Sequence, residues 1–163
     1  MDKQQLINVA AETAKAAQIR DDVCSRSVLV GLAAVLDEMP EELITASLSL
    51  LGGTGTASGS CGAYCAGLMG VGLKFNYPLD DELSNPALMG EGISKAAEYR
   101  DRFMAIYGTV LCPKIHEKLF GRSYVFTDPA QQQEFLTLEG HVERCAEVVA
   151  DAARIAADMI LDD

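Results

Sequence analysis

The chain has 163 residues, enough for one domain that buries a full hydrophobic core. Its formal net charge of −11 argues against nucleic acid and anionic membrane surfaces as partners, because both are bound through basic patches. Hydrophobic residues make up 49% of the chain but aromatic residues only 6%, a composition that favours closely packed helices over sheets.

Helical periodicity runs through most of the chain, and we predict an all-α fold, a single-domain helical bundle over residues 1–163. The predicted helices, in chain order, cover residues 3–17, 22–36, 40–51, 61–73 after a Ser60 N-cap, 87–107, 112–119 and 139–161. The stretch Asn76–Pro86 is predicted to be a turn-rich connection. Residues 122–137 are ambiguous, with a short helix beginning at Asp128-Pro129. No internal repeat or linker interrupts this pattern.

Local signals place several of these helix ends. Asp21-Asp22 are typical residues at the start of a helix, and Pro40 suits a first helical position. Gly52-Gly53 are predicted to stop the helix before them, and Gly108 and Gly121 to end the two later ones. These assignments leave a glycine-rich loop between two helices.

The N-terminal residues contain neither an apolar segment nor a cleavage site for secretion, and no stretch approaches ~18 uninterrupted apolar residues. We therefore expect a cytoplasmic protein. In a reducing cytosol, cysteines serve metal binding or catalysis more often than a disulfide framework.

Five cysteines without a CxxC pair are the strongest functional signal in the sequence. They are Cys24, Cys61, Cys65, Cys112 and Cys145. A free cysteine often packs as a small hydrophobic residue, and Cys24 and Cys145 lie on apolar helix faces as that interpretation requires. The same placement suits ligands in a bundle, because sites inside bundles are built from inward-projecting side chains of facing helices.

Both histidines lie one helical turn from a cysteine. His116 follows Cys112 by four residues, and His141 precedes Cys145 by four. Imidazole can bind a metal or donate a hydrogen bond to a cluster sulfur from outside the ligand shell. A histidine that faces solvent or is satisfied in the core remains the alternative for each.

The glycine-rich loop gives the candidate cofactor-binding residues Gly53, Gly55, Gly59 and Gly62. The run lacks both the GxGxxG spacing and the GK[ST] ending of nucleotide-binding loops, so it suits the close approach of an inorganic cluster better. Close packing of helices is the alternative for its last glycine. The sequence contains no Ser-His-Asp arrangement and no HExxH motif, which leaves no catalytic residue to name. It also lacks CxxCH, which excludes a covalently attached c-type haem.

The order of these motifs resembles the C_GCAxxG_C_C family of redox-active proteins, a family related to the iron–sulfur domain of split-Soret cytochrome c. The resemblance covers roughly residues 20–150 and rests on Cys24-Ser25, Cys61-Gly62-Ala63, Gly108-x3-Cys112, Phe120-Gly121 and Cys145. It implies that Cys24, Cys61, Cys112 and Cys145 are the signature cysteines. The glycine that closes the motif is displaced by one position, to Gly67, and Cys65 is extra to the signature.

Three hypotheses follow. The first is an iron–sulfur protein for electron transfer or redox sensing, with a [2Fe–2S] or [4Fe–4S] cluster on the four signature cysteines and Cys65 as an additional candidate. The second is a structural zinc site, and the third is a metal-free thiol–disulfide protein with Cys61 as nucleophile and Cys65 as resolving cysteine. A substrate-converting enzyme is less in keeping with the sequence. The acidic charge is usually a feature of a well-solvated surface, and the alternative is an acidic docking face for a basic redox partner protein. A homodimer is left open.

Overall fold

The computed structural model describes residues 1–161 and is helical, with no strand in that part of the chain. Its α-helices are α1 (Lys3–Asp21), α2 (Cys24–Ala33), α3 (Glu41–Ala46), α4 (Gly62–Phe75), α5 (Leu79–Ser84), α6 (Met89–Tyr107), α7 (Cys112–Phe120), α8 (Pro129–Leu136) and α9 (His141–Ile160). Short 3₁₀ turns cover Ser47–Leu50 and Pro86–Leu88. The predicted all-α fold is confirmed.

Helices α1, α2, α4 and α9 form the centre of the bundle, with α6 packed against α4 and α9. Alanines dominate their contacts, and Ala10 and Ala14 of α1 and Ala153 and Ala156 of α9 are fully buried. Small side chains let helix backbones approach closely, and the two largest fully buried side chains, Tyr99 and Phe103 of α6, complete this core.

Helices α1 and α2 approach each other closely at Gly31 of α2. A Cβ atom at Gly31 would lie 2.4 Å from the Ala10 carbonyl oxygen, so α1 leaves no room for a side chain there.

Gly31→Ala is therefore expected to destabilise the fold by about 1–3 kcal/mol, the usual cost of overpacking. Gly90→Ala in α6 is the matched control, because a Cβ there meets nothing within 4 Å. It should gain about 0.5 kcal/mol through lower backbone entropy in the unfolded chain. Urea unfolding of both variants checks the prediction, and equal effects would contradict the packing described here.

The first helix boundary differs from the prediction. Helix α1 continues to Asp21, and Asp22 then adopts a left-handed conformation with φ of 51° and closes the helix through a bond from its N–H to the Gln18 carbonyl. Aspartate tolerates this conformation because its short polar side chain forms local hydrogen bonds. Asp21 and Asp22 therefore end one helix instead of opening the next, which begins at Cys24.

Other boundaries follow the prediction in part. The predicted helix 40–51 divides into α3 and a 3₁₀ turn, and the predicted connection Asn76–Pro86 contains the short helix α5. Gly108 and Gly121 have positive φ and end α6 and α7 as expected. In the ambiguous segment, Asp128 caps α8 by accepting from the N–H groups of Ala130 and Gln131. Within residues 1–161, no helix has both the length and the apolar character needed to cross a bilayer.

Candidate cysteine-lined site

The four signature cysteines line one cavity of about 260 Å³. Cys24, Cys112 and Cys145 belong to α2, α7 and α9, and Cys61 immediately precedes α4. The bundle therefore brings together four thiols that are far apart in the sequence. Cys65 lies one turn further along α4, is half-buried against the core and is not part of the cavity wall.

Three of these thiols stand at helix N-termini. Cys24 and Cys112 are the first residues of their helices, and Cys61 is the N-cap of α4. Burial raises the pKa of Cys24, and hydrogen bonds from the backbone N–H groups of Gly52 and Ser25 oppose that rise. Those of Tyr64 and Ala63 do the same for Cys61. Free N–H groups and the positive ends of helix dipoles favour anionic sulfur.

Burial nevertheless dominates the electrostatics of the metal-free site. It is the main cause that raises the pKa of each of the four thiols, to about 12 for Cys112. Repulsion from neighbouring thiols adds to it, since Cys24 and Cys112 both raise the pKa of Cys61 and of Cys145. Cys24 and Cys145 keep some accessible surface although protein atoms surround them, because they line the cavity. All four are thus thiols near neutral pH unless a cation compensates their charge.

The burial of Cys61 gives less support to one of the three sequence-based hypotheses than to the other two. A metal-free thiol–disulfide mechanism requires a partly exposed Cys61 of low pKa. Cys61 is only 7% exposed, and burial raises its pKa well above the ordinary value despite its place at a helix N-terminus. The N–H groups that should activate this cysteine are outweighed by the loss of water.

Two glycines of the glycine-rich segment leave the space that the side chains of Cys112 and Cys24 occupy. A Cβ atom at Gly53 would lie 2.6 Å from the Cβ of Cys112, and one at Gly62 would lie 2.7 Å from the Sγ of Cys24. Glycine is therefore needed at both positions for the thiols to stay where they are. Gly55 and Gly62 line the cavity, whereas Gly53 and Gly59 lie outside its wall. Their role in binding a cofactor stays a prediction.

Two backbone hydrogen bonds tie Cys61 to Cys112. The Cys61 N–H donates to the Val110 carbonyl at 2.8 Å, and the Cys112 N–H donates to the Gly59 carbonyl at 2.9 Å. Residues Ser60 and Leu111 form an isolated antiparallel bridge between these bonds. The two cysteines are thus held in fixed register although 50 residues separate them.

His116 lies on the cavity wall, and His141 lies behind it. The Nε2 atom of His116 is 3.5 Å from the Cys112 sulfur, and its ring stacks on Phe135 with a centroid distance of 4.7 Å. His141 contacts two residues of the cavity wall, with 3.1 Å between its Nε2 and the Asp22 carboxylate and 4.8 Å between the centroids of its ring and the Phe135 ring. Its Nδ1 lies 2.9 Å from the Leu138 carbonyl oxygen, so both ring nitrogens face acceptors.

Sequence reasoning missed a second group of residues on the cavity wall. They are Gln18, Asp22, Leu51, Gly52, Ala63, Ile115, Phe126, Gln132, Phe135, Leu136, Val148 and Val149. Gln18 is the most telling of these, because a glutamine that is 1% exposed on an alanine-rich helix face is unusual. That polar interruption of an apolar face was the available signal.

Burial of His116 gives the metal-free protein a specific dependence on pH. Burial, and secondarily His141, lower the pKa of His116 from 6.5 to about 4. Below about pH 6.5 the unfolded chain binds a proton that the folded state does not, so this contribution to stability falls as the pH drops towards 4. Between pH 7 and about pH 4.5, the parent should lose about 2–3 kcal/mol more unfolding free energy than His116→Phe. Equal losses in urea unfolding of the two proteins would show that His116 is solvated.

Comparison with known proteins identifies the family to which the chain belongs. Four cysteines from separate helices around one cavity define a helical protein with a thiol-based site. Residues 23–159 match the family described as "Putative redox-active protein (C_GCAxxG_C_C)", so the chain belongs to this family. No curated protein and no solved structure matches the chain.

The family pattern allows two alignments at α4. It places alanine directly after the central cysteine and glycine three positions later. Here Cys61 is followed by Gly62, whereas Cys65 is followed by Ala66, and neither has glycine at the later position. The structure separates the two, since Cys61 faces the cavity and Cys65 does not.

Proposed function

We propose that this protein is an iron–sulfur redox protein whose cluster is held by Cys24, Cys61, Cys112 and Cys145. The observation that carries the proposal is that four thiols from four helices line one cavity. Four thiolates are the usual ligand set of both [2Fe–2S] and [4Fe–4S] clusters. Membership of a family described as redox-active supports the same conclusion.

The distribution of four thiols over the wall of one cavity favours a cluster over a single zinc ion. Four sulfurs around one ion at ~2.3 Å must lie about 3.8 Å from each other. Within residues 1–161, no three side chains of histidine, cysteine, aspartate or glutamate are arranged to hold one metal ion. Thiols spread over the wall of a cavity fit a cofactor in which different iron atoms take different sulfurs. A structural zinc site is the weaker alternative.

The surrounding groups suit an anionic, sulfur-rich cofactor. Buried thiols of raised pKa need positive charge to ionise, and bound iron provides it. Backbone N–H groups at the starts of α2 and α4 donate towards Cys24 and Cys61, and such hydrogen bonds raise the reduction potential. His116 can donate from Nε2 to the Cys112 thiolate. When bound, the cluster supplies reversible one-electron transfer.

This arrangement supports electron transfer or redox sensing. The acidic chain, with a net charge of −11, suits a basic redox partner protein, and we place the reaction in the cytoplasm. Cys61 and Cys112 are buried and Cys24 and Cys145 are half-buried, so the bundle shields the four ligands of a bound cluster from most of the solvent.

The visible spectrum of anaerobically purified protein tests the proposal. An iron–sulfur protein should be brown, and its visible absorption should bleach when dithionite reduces it. A colourless protein with stoichiometric zinc would support the zinc alternative. A colourless protein that takes up no iron or sulfide on reconstitution would leave only metal-free thiol chemistry and would contradict the proposal.

A further inference from the structure

One wall of the cavity is formed by the part of the chain between α7 and α9. Phe126 and the α8 residues Gln132, Phe135 and Leu136 line the cavity from this side. Gln132 and Leu136 are also exposed, so this wall is thin and separates the cavity from solvent. We call residues 122–139 the α8 segment.

Few buried side chains attach the α8 segment to the bundle. Of its residues, only Tyr124 and Phe135 are buried, with 3% and 6% exposure. Within residues 1–161, α8 does not pack lengthwise against another helix. The Phe135 ring instead stacks on His116 and contacts the ring of His141, at centroid distances of 4.7 and 4.8 Å. Segments with few buried apolar contacts open locally at a lower free energy than core helices do.

Contacts within the α8 segment hold it together as one unit. Arg122 and Glu134 form an ion pair at 3.1 Å, which joins the start of the segment to α8. The Val125 N–H donates to the Gln131 Oε1 at 3.1 Å, and the Asp128 side chain caps α8. The α8 segment can therefore change its position relative to the bundle without losing its own shape.

A glycine with a left-handed backbone stands at each end of the α8 segment. Gly121 and Gly140 have φ of 81° and 77°, and a Cβ atom at either position would meet nothing within 4 Å. Close packing therefore does not hold these two residues in place. Since glycine adopts more backbone conformations than any other residue, both positions are suited to act as hinges.

The thiols are reached only if a part of the cavity wall opens. Cys61 and Cys112 are 7% and 6% exposed. Helices α2, α4 and α9, which position three of the four thiols, pack against one another. Val28, Ala63 and Val149 of these helices are fully buried, so separating the helices would disrupt the core. The α8 segment has far less buried surface to lose.

We propose that the α8 segment is a lid that opens about its two flanking glycines and gives a cofactor access to the four thiols. Opening separates the Phe135 ring from the two histidine rings. It also breaks the hydrogen bond of 3.1 Å from the Phe126 N–H to the Thr56 carbonyl, which joins the lid to the glycine-rich loop. The identity of the cofactor rests on the proposed function, whereas the opening itself does not.

Amide hydrogen exchange tests the opening in full-length protein freed of metal by chelation. Residues 122–139 are expected to exchange as one group, at least about tenfold faster than α4 and α9. Urea below the unfolding transition should change this rate little, because local opening exposes little surface. Equal exchange rates in the α8 segment and in α9 would overturn the lid.

Labelling with N-ethylmaleimide in the same metal-free protein shows whether the opening exposes the cavity. The labelling rate of a buried thiol follows the population of the open form. Phe135→Ala removes the main anchor of the lid and should raise the labelling rates of Cys61 and Cys112 at least about tenfold. Cys65 is the internal control, because it lies outside the cavity wall. Gln133→Ala is the matched variant on the exposed side of α8 and should change the rates less than about twofold.

Two results of the labelling experiment would contradict the lid. If Phe135→Ala accelerates Cys65 as much as Cys61 and Cys112, the whole fold opens and the lid is overturned. Unchanged labelling of Cys61 and Cys112 in this variant would overturn it as well.

Release of bound iron separates this inference from the proposed function. In protein that contains a cluster, Phe135→Ala should release iron to a chelator at least about tenfold faster than the parent, whereas Gln133→Ala should not. Equal release rates would overturn the lid while leaving the cluster in place. Protein that takes up no iron but shows the expected exchange and labelling would contradict the cluster and support the lid.

Discussion

Cys61→Ser is expected to abolish cluster binding, whereas Cys65→Ser is expected to retain most of it. Cys61 lines the cavity at the start of α4, and its sulfur accepts hydrogen bonds from the backbone N–H groups of Ala63 and Tyr64. Cys65 lies outside the cavity wall. Even groups outside the ligand shell usually change metal affinity 10–100-fold, so loss of a ligand should exceed that range. Iron and sulfide per chain after anaerobic reconstitution provide the measurement.

Cys24→Ser, Cys112→Ser and Cys145→Ser should behave like Cys61→Ser, because their thiols share the cavity. Circular dichroism of each variant shows whether the helices still form, which separates loss of a ligand from loss of the fold. If Cys65→Ser loses as much iron as Cys61→Ser, the ligand assignment at α4 is wrong.

Removal of the cluster is expected to lower the melting temperature by about 8–16 °C. The four ligands join α2, α4, α7 and α9, so a bound cluster stabilises only the folded state. A ligand present at an effective 1,000 times its dissociation constant contributes about 4 kcal/mol. In a chain of this size each kcal/mol corresponds to about 2–4 °C. Calorimetry before and after anaerobic chelation measures the change.

The Cys61→Ser protein is the control for this experiment. It should melt near the temperature of the chelated parent, and chelation should not lower that temperature further. An unchanged melting temperature in a parent that loses its colour would mean that the cluster is bound at the surface, outside the cavity.

Elements with strong local signals could be predicted from the sequence. The glycines at 108 and 121 end α6 and α7 because each adopts a left-handed conformation that other residues avoid. The apolar stripe of α9 predicted its buried face, since a central helix must present such a stripe to its neighbours.

Local sequence signals gave the wrong boundary between α1 and α2, where long-range contacts determine the structure. Asp21 and Asp22 have the chemistry of a helix start, yet Asp22 closes α1, and its side chain is used by Gln18 and His141. As a result, Cys24 is the first residue of α2, where it still packs against the core as predicted. The Asp21-Asp22 dipeptide itself gives no sign that Asp22 will contact His141, which lies 119 residues away in the sequence.

The thiols of the candidate site were easier to predict than its remaining wall. Cysteine is rare enough for its spacing to point to a shared site, whereas phenylalanine and leucine are ordinary core residues. Phe126, Phe135 and Leu136 fall in the segment whose structure was ambiguous. Only its tertiary contacts, such as those of Phe135 with His116 and His141, place this segment on the cavity. The fold therefore adds the apolar half of the site.

Iron and acid-labile sulfide per chain, measured with zinc in one anaerobic preparation, test the central claim most directly. If the four thiols hold one cluster, iron and sulfide should be present in equal amounts, about two or about four of each per chain, and zinc should be negligible. Protein that contains neither iron nor sulfide, both as isolated and after reconstitution, would contradict the claim.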